Sequence, residues 1–124
     1  MNQIKFSHEW NKLKNLREGR IITTFRAYTP QKHLYYESNL GEEFEIILNG
    51  KRIAIGELII LKFLWSDRLD IETIQEDTYP HYTYEDWENL MIKFYGIPRV
   101  FGILLKFHII KVFESMKEVV THDS

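Results

Sequence analysis

The chain has 124 residues, 44% hydrophobic and 15% aromatic, enough apolar surface for one domain with one core. It contains no cysteine, which excludes a disulfide framework and a thiolate zinc site. Lys plus Arg number 16 and Asp plus Glu 18, so bulk electrostatic coating of nucleic acid is excluded, while a local basic patch is not.

The opening Met1-Asn2-Gln3-Ile4-Lys5 lacks the apolar stretch of a signal peptide. Apolar runs such as Leu58 to Leu61 fall far short of the roughly 20 residues that span a bilayer. The expectation is a cytoplasmic protein without a membrane partner. No repeat, low-complexity segment or linker divides the chain, so residues 1–124 are read as one domain.

Residues 4–6 are read as a short first strand. A helix is predicted over 8–18, with Ser7 as N-cap, Trp10, Leu13 and Leu16 on one face, and Gly19 as the stop. Ile21 to Tyr28 is rich in β-branched and aromatic residues and predicts a strand. Pro30 to Gly41 shows no clear period and is read as a surface loop.

Phe44 to Leu48 and Lys51 to Ile55 flank Asn49-Gly50, a pair suited to the positive φ angles of a tight hairpin turn. Gly56 then interrupts a second apolar run, Glu57 to Trp65, which predicts a bulge or bend that helps a small sheet curl. Ile71 to Asp77 reads as a short helix. A second opens at Thr83, with Asp86 at the capping-box position, and ends at Gly96-Ile97-Pro98. Phe101 to Ile110 alternates as a closing strand. The tail from 113 to 124 either extends as a charged helix or frays. The fold class expected is α+β: a mixed sheet rolled into a small barrel, with two to three flanking helices.

Several clusters carry candidate chemistry. By period two, Arg20, Thr24 and Arg26 fall on one face of the 20–26 strand, where guanidinium groups suit phosphate and a hydroxyl suits a base or sugar. The alternative is a solvated strand face. Lys12, Lys14, Arg17 and Arg20 make 12–20 the most basic segment, either a wet face or a phosphate-facing edge. Residues 72–88 are acidic. Glu72 and Glu76 would share a helical turn, as paired carboxylates for acid–base work or as an exposed helix face. Tyr79-Pro80-His81-Tyr82 is the candidate functional rim, with Tyr79 or Tyr82 stacking a base or simply packing. No compact ligand spacing appears, so no metal or cofactor is expected.

Gly19-Arg20-Ile21-Ile22-Thr23-Thr24-Phe25-Arg26, set after the predicted first helix, resembles the Gly-Lys-Lys-Thr-x-x-x-Arg region of ASCH domains in the PUA-like superfamily. The resemblance continues through Gly41 to Ile46, Leu61 to Asp77, Trp87 to Gly96 and the closing apolar strand, covering roughly residues 4–113 by order of elements. It implies a PUA-like β-barrel with a cleft beside the first helix, and RNA, a nucleoside or a nucleotide as partner. Arg20 and Arg26 would contact phosphate, Thr24 a base or sugar hydroxyl, and Tyr79 or Tyr82 would stack. Some members of that family hydrolyse acetylated cytidine with a lysine, a threonine and a glutamate. The resemblance places Thr24 at the threonine, and Glu76 or Asp77 at the acid. Ile21 stands at the lysine position, and Arg20 beside it stays protonated and points to the other side of a strand. A third reading is an interaction protein with no small ligand.

Overall fold

The computed structural model describes residues 1–8 and 10–113. In chain order they form β1 (Asn2–Phe6), a 3-10 turn at Asn11–Leu13, β2 (Ile21–Ala27), α1 (Pro30–Ser38), β3 (Glu43–Leu48) and β4 (Lys51–Trp65). A second 3-10 turn at Ser66–Arg68, α2 (Ile71–Asp77), α3 (Tyr84–Tyr95) and β5 (Phe101–Val112) follow. The result is an α+β domain: one five-stranded mixed sheet with three α-helices, the expected class. Among the described residues no helix is long and apolar enough to cross a membrane.

The strand order is β1-β3-β4-β5-β2. β1 runs parallel to β3, and every other pairing is antiparallel. Asn49 and Gly50 take φ of 50° and 80°, the conformation that lets β3 turn directly into β4. Gly56 marks a register shift inside β4 rather than its start. The strand continues through it, and a second shift follows between Leu58 and Ile60. These irregularities bend the sheet. A Cβ at Gly56 would stand 3.1 Å from Phe107 Cβ and 3.2 Å from Ile46 Cδ1, so the bend depends on a bare backbone there.

The inner face of the sheet carries the main core, with Ile4, Phe44, Ile46, Leu58, Leu105 and Phe107 all at most 1% exposed. Each side chain contributes about 1.5–3 kcal/mol by leaving water. On the outer face, Phe25 and Leu104 meet Ile74 of α2 and Trp87, Leu90 and Met91 of α3 in a second apolar cluster. Trp87 Nε1 donates to Ser66 O at 3.0 Å, and Ser66 Oγ accepts from Val100 N at 2.9 Å, which fixes α3 against the end of β4. Helix α3 has the full capping box at Thr83 and Asp86, and Gly96 closes it at φ 77°.

Two expectations are corrected. The helix over 8–18 does not form: only Asn11–Leu13 makes a 3-10 turn, and Asn15 takes a positive φ of 57°. The spacing of three between Trp10, Leu13 and Leu16 fits a 3-10 turn as readily as a helix. Leu13 and Leu16 drop into the main core instead, and Lys12 is drawn into an ion pair with Asp77. The stretch 30–41 is not a loop. Thr29 Oγ1 accepts from Lys32 N at 3.1 Å and Pro30 occupies the first turn, so a helix starts there despite its weak amphipathicity. The expectation for the tail falls, beyond Phe113, on residues outside those described.

Among the described residues the two edge strands, β1 and β2, do not pair with each other. The Arg26 side chain bridges them, Nη2 donating to Lys5 O at 2.9 Å. Both edges are covered by side chains. Tyr35 Oη accepts from Gln3 N at 2.9 Å and donates to Gln3 O at 3.3 Å. Asp77 Oδ2 accepts from Phe25 N at 3.2 Å.

Candidate functional site

A cavity of about 320 Å³ opens at this seam. Its floor is the end of β1 and residues 24–26 of β2, one wall is Asp77 and Thr78 at the end of α2, and the other is α3. Trp10, Trp87, Phe94 and Tyr95 make the walls largely aromatic.

The polar groups converge from three distant parts of the chain. Arg26 Nε donates to Thr24 Oγ1 at 3.3 Å. The Arg26 guanidinium also lies 4.6 Å from the centre of the Phe6 ring, a cation–π contact that fixes its plane. Thr24 is 3% exposed, and its Oγ1 uses a lone pair on Arg26, which leaves its proton available. Asp77 is held on both oxygens, by Lys12 Nζ on Oδ1 and Phe25 N on Oδ2. Lys12 lies behind Asp77, 2% exposed and 5.2 Å from the Phe6 ring centre. Burial pushes the Lys12 amine below its usual value, Asp77 opposes that shift, and the charge of Arg26 adds to it.

Thr24 and Arg26 of the sequence candidates therefore meet in one cleft, and of the two candidate acids Asp77 joins them. Glu76 does not. It is half exposed and accepts from Thr23 Oγ1 at 3.0 Å and Lys106 Nζ at 3.2 Å. Thr23 and Thr24 point to opposite faces of β2: Thr23 bonds Glu76, whereas Thr24 Oγ1 accepts from Arg26 Nε on the cleft side. Arg20 precedes β2, donates to Lys14 O at 3.2 Å and lines a separate depression with Asn15, Arg17, Glu18 and Gly19. Ile21 is 52% exposed.

Neither Tyr79 nor Tyr82 lines the cavity; Tyr79 stands against two residues that do, Trp10 and His8. The Tyr79 ring centre is 5.6 Å from that of Trp10, and its hydroxyl is 3.3 Å from His8 Nε2. Tyr82 stands one layer out, 5.6 Å from Tyr79, and packs against the outer apolar cluster. Trp10 also meets Phe94 of α3, edge to face at 6.4 Å. The sequence reading missed Lys12 as a buried partner, and missed Phe6, Trp10 and Phe94 as cleft residues. Their only local signal was an amphipathic pattern that reads equally well as core. Among the described residues no group of three or more His, Asp or Glu side chains is placed to hold a metal ion.

No protein-family model, curated protein or solved structure matches the chain.

Proposed function

We propose that the chain is an ASCH-like module of the PUA-like superfamily that binds one nucleoside or nucleotide unit, free or within RNA, in the seam cleft. The reading is carried by the convergence of Thr24, Arg26 and Asp77 on an aromatic-walled cavity. Its volume of about 320 Å³ lies near the small end of ligand pockets, typically about 300–1,000 Å³. That suits a single nucleoside better than a length of strand. Trp10, Phe94 and Tyr95 offer faces on which a base can stack. Arg26 and Thr24 offer donors, and Asp77 an acceptor, for its edge. The bridge from β2 to β1 through Arg26 supports a PUA-like barrel whose open seam is the binding cleft. A chain free of cysteine is compatible with a reducing, cytoplasmic setting.

Titration with nucleosides and short RNAs, followed by tryptophan fluorescence and backbone amide shifts, tests the reading. Changes at Thr24, Arg26 and Thr78 are expected, with weaker RNA binding and a flatter salt dependence in Arg26→Ala. Shifts confined to other surfaces would remove the cleft from consideration.

A second reading, hydrolysis of acetylated cytidine or a related amide, is favoured by one observation. The amine absent at Ile21 has a counterpart in Lys12, which enters from a different segment and is bonded to Asp77 beside the cleft. In this reading Thr24 attacks or orients the amide, and the Asp77–Lys12 pair, rather than Glu76, handles the proton. Release of cytidine from acetylcytidine that Thr24→Ala abolishes would support it. Turnover unaffected by Thr24→Ala would refute it.

A further inference from the structure

Among the described residues the charges that line the seam do not balance. Among the described residues no carboxylate lies within ion-pair distance of Arg26, although the side chain is half buried. Asp77, the acidic residue that lines the cleft, is already bonded to Lys12 and to the backbone of Phe25. Lys5 lines the same cavity, and its side chain is exposed. Lys32, near the start of α1, gives its amine to Ala27 O at 3.3 Å. Burial first, then the charge of Arg26, hold that amine below its usual value. Among the described residues, Lys5 and Arg26 thus line a cleft whose one carboxylate, Asp77, is already committed to Lys12 and Phe25 N.

Half-buried charge is normally met by an opposite charge, because the low local dielectric makes an unmatched ion costly. The geometry also leaves room to meet it. A guanidinium has five N–H donors. Among the described residues Arg26 spends one on Thr24 Oγ1 and one on Lys5 O, while its flat face covers Phe6. The anchored guanidinium is held in place with donors to spare, which is the preorganisation that bidentate phosphate recognition uses.

We propose that the cleft takes its ligand as a phosphorylated nucleoside, with the phosphate seated on the unspent N–H groups of Arg26 and the base against the aromatic walls. This rests on the nucleoside-binding reading above and adds to it the anionic group. Lys5 at the mouth adds longer-range attraction, and Thr24 supplies a neutral donor next to the phosphate or the sugar.

The test compares cytidine, cytidine 5′-monophosphate, inorganic phosphate and the dinucleoside monophosphate of cytidine, which has an internal diester only. Calorimetry on the intact chain should show the monophosphate binding roughly ten- to a hundred-fold more tightly than cytidine, the range of a charge-assisted hydrogen bond. That advantage should shrink with added salt and disappear in Arg26→Met. Arg26→Lys, which keeps the charge and loses the fork, should retain part of it. Because Arg26 also bridges β1 and β2, its substitution can disturb the fold. The Arg26 Nε–Hε resonance of the unaltered protein is therefore the second readout, and should move with the monophosphate and with inorganic phosphate but not with cytidine. Equal binding of cytidine and its monophosphate, or an advantage that survives in folded Arg26→Met, overturns the phosphate site while leaving the nucleoside reading intact. Absence of binding by every probe overturns both. A dinucleoside that binds like the monophosphate assigns the site to an internal RNA phosphate. One that binds like cytidine assigns it to a terminal phosphate.

Discussion

Lys12 and Asp77, 65 residues apart in the chain, form an ion pair in which both side chains are almost wholly withdrawn from water. The contact does three things at once. It docks the segment after β1 onto the end of α2, holds the carboxylate that caps Phe25 N on the β2 edge, and sets the polar wall of the cleft.

Breaking that pair from one side leaves a buried charge without its partner. Lys12→Met should cost about 3–5 kcal/mol by urea unfolding, and the Lys12→Met/Asp77→Leu double variant should recover part of the loss. Because burial lowers the Lys12 amine from 10.5, the unfolded chain binds that proton more tightly. The stability of the wild type relative to Lys12→Met should therefore rise as pH climbs through the folded value toward 10.5. A flat difference across alkaline pH would contradict the burial of the amine.

Gly102 pairs with Ala27 beneath the ring of Phe25. A Cβ there would strike that ring and approach Arg26 O to 2.6 Å, a backbone atom that cannot move independently. Gly102→Ala should lower stability by roughly 1–3 kcal/mol or more. It should also shift the amide resonances of residues 25 and 26, although residue 102 does not line the cavity. A variant with wild-type melting temperature and unchanged shifts would mean the strand adjusts freely.

The capping box of α3 gives a pH-dependent prediction. The Asp86 carboxyl is held below its usual 3.8, first by the Thr83 backbone N–H and then by the Thr83 hydroxyl. Its contribution is complete above the unfolded value and is lost as pH falls through the lower folded value. The stability gap between wild type and Asp86→Asn should thus close as the solution is acidified from about pH 5 to about pH 2. Thr83→Ala, which removes the cap itself, should cost about 1 kcal/mol near neutral pH.

Tyr35 guards the outer edge of β1 by bonding both backbone groups of Gln3. Tyr35→Phe should speed amide exchange at Gln3 and lower stability by roughly 0.5–1.5 kcal/mol. Unchanged exchange would show that water replaces the hydroxyl without loss.

The elements that the sequence made legible are those specified by neighbours in the chain. Thr83 and Asp86 announce the start of α3, Asn49-Gly50 the β3–β4 turn, and the alternation from Phe101 the last strand. The Thr29-Pro30 start of α1 was equally local, but the helix behind it lacks a clear apolar stripe and so went unread. The 8–18 error has the opposite origin. A plausible helical pattern lost to tertiary contacts, since Leu13, Leu16 and Lys12 are worth more to the molecule in the core and against Asp77 than along one helix face.

By itself the sequence determined the α+β class, the hairpin, the cap chemistry and the two candidate side chains Thr24 and Arg26, because periodicity and turn residues act over a few positions. Tertiary structure alone decided that Asp77 rather than Glu76 joins them, that Arg20 stays outside, and that Lys12 stands behind the carboxylate. Those outcomes depend on how far the sheet curls and on which of two adjacent side chains faces the seam. A rotation of about 100° between successive helix residues separates a cleft acid from a surface one, and nothing in the local sequence fixes the phase of that rotation relative to a strand some 50 residues away.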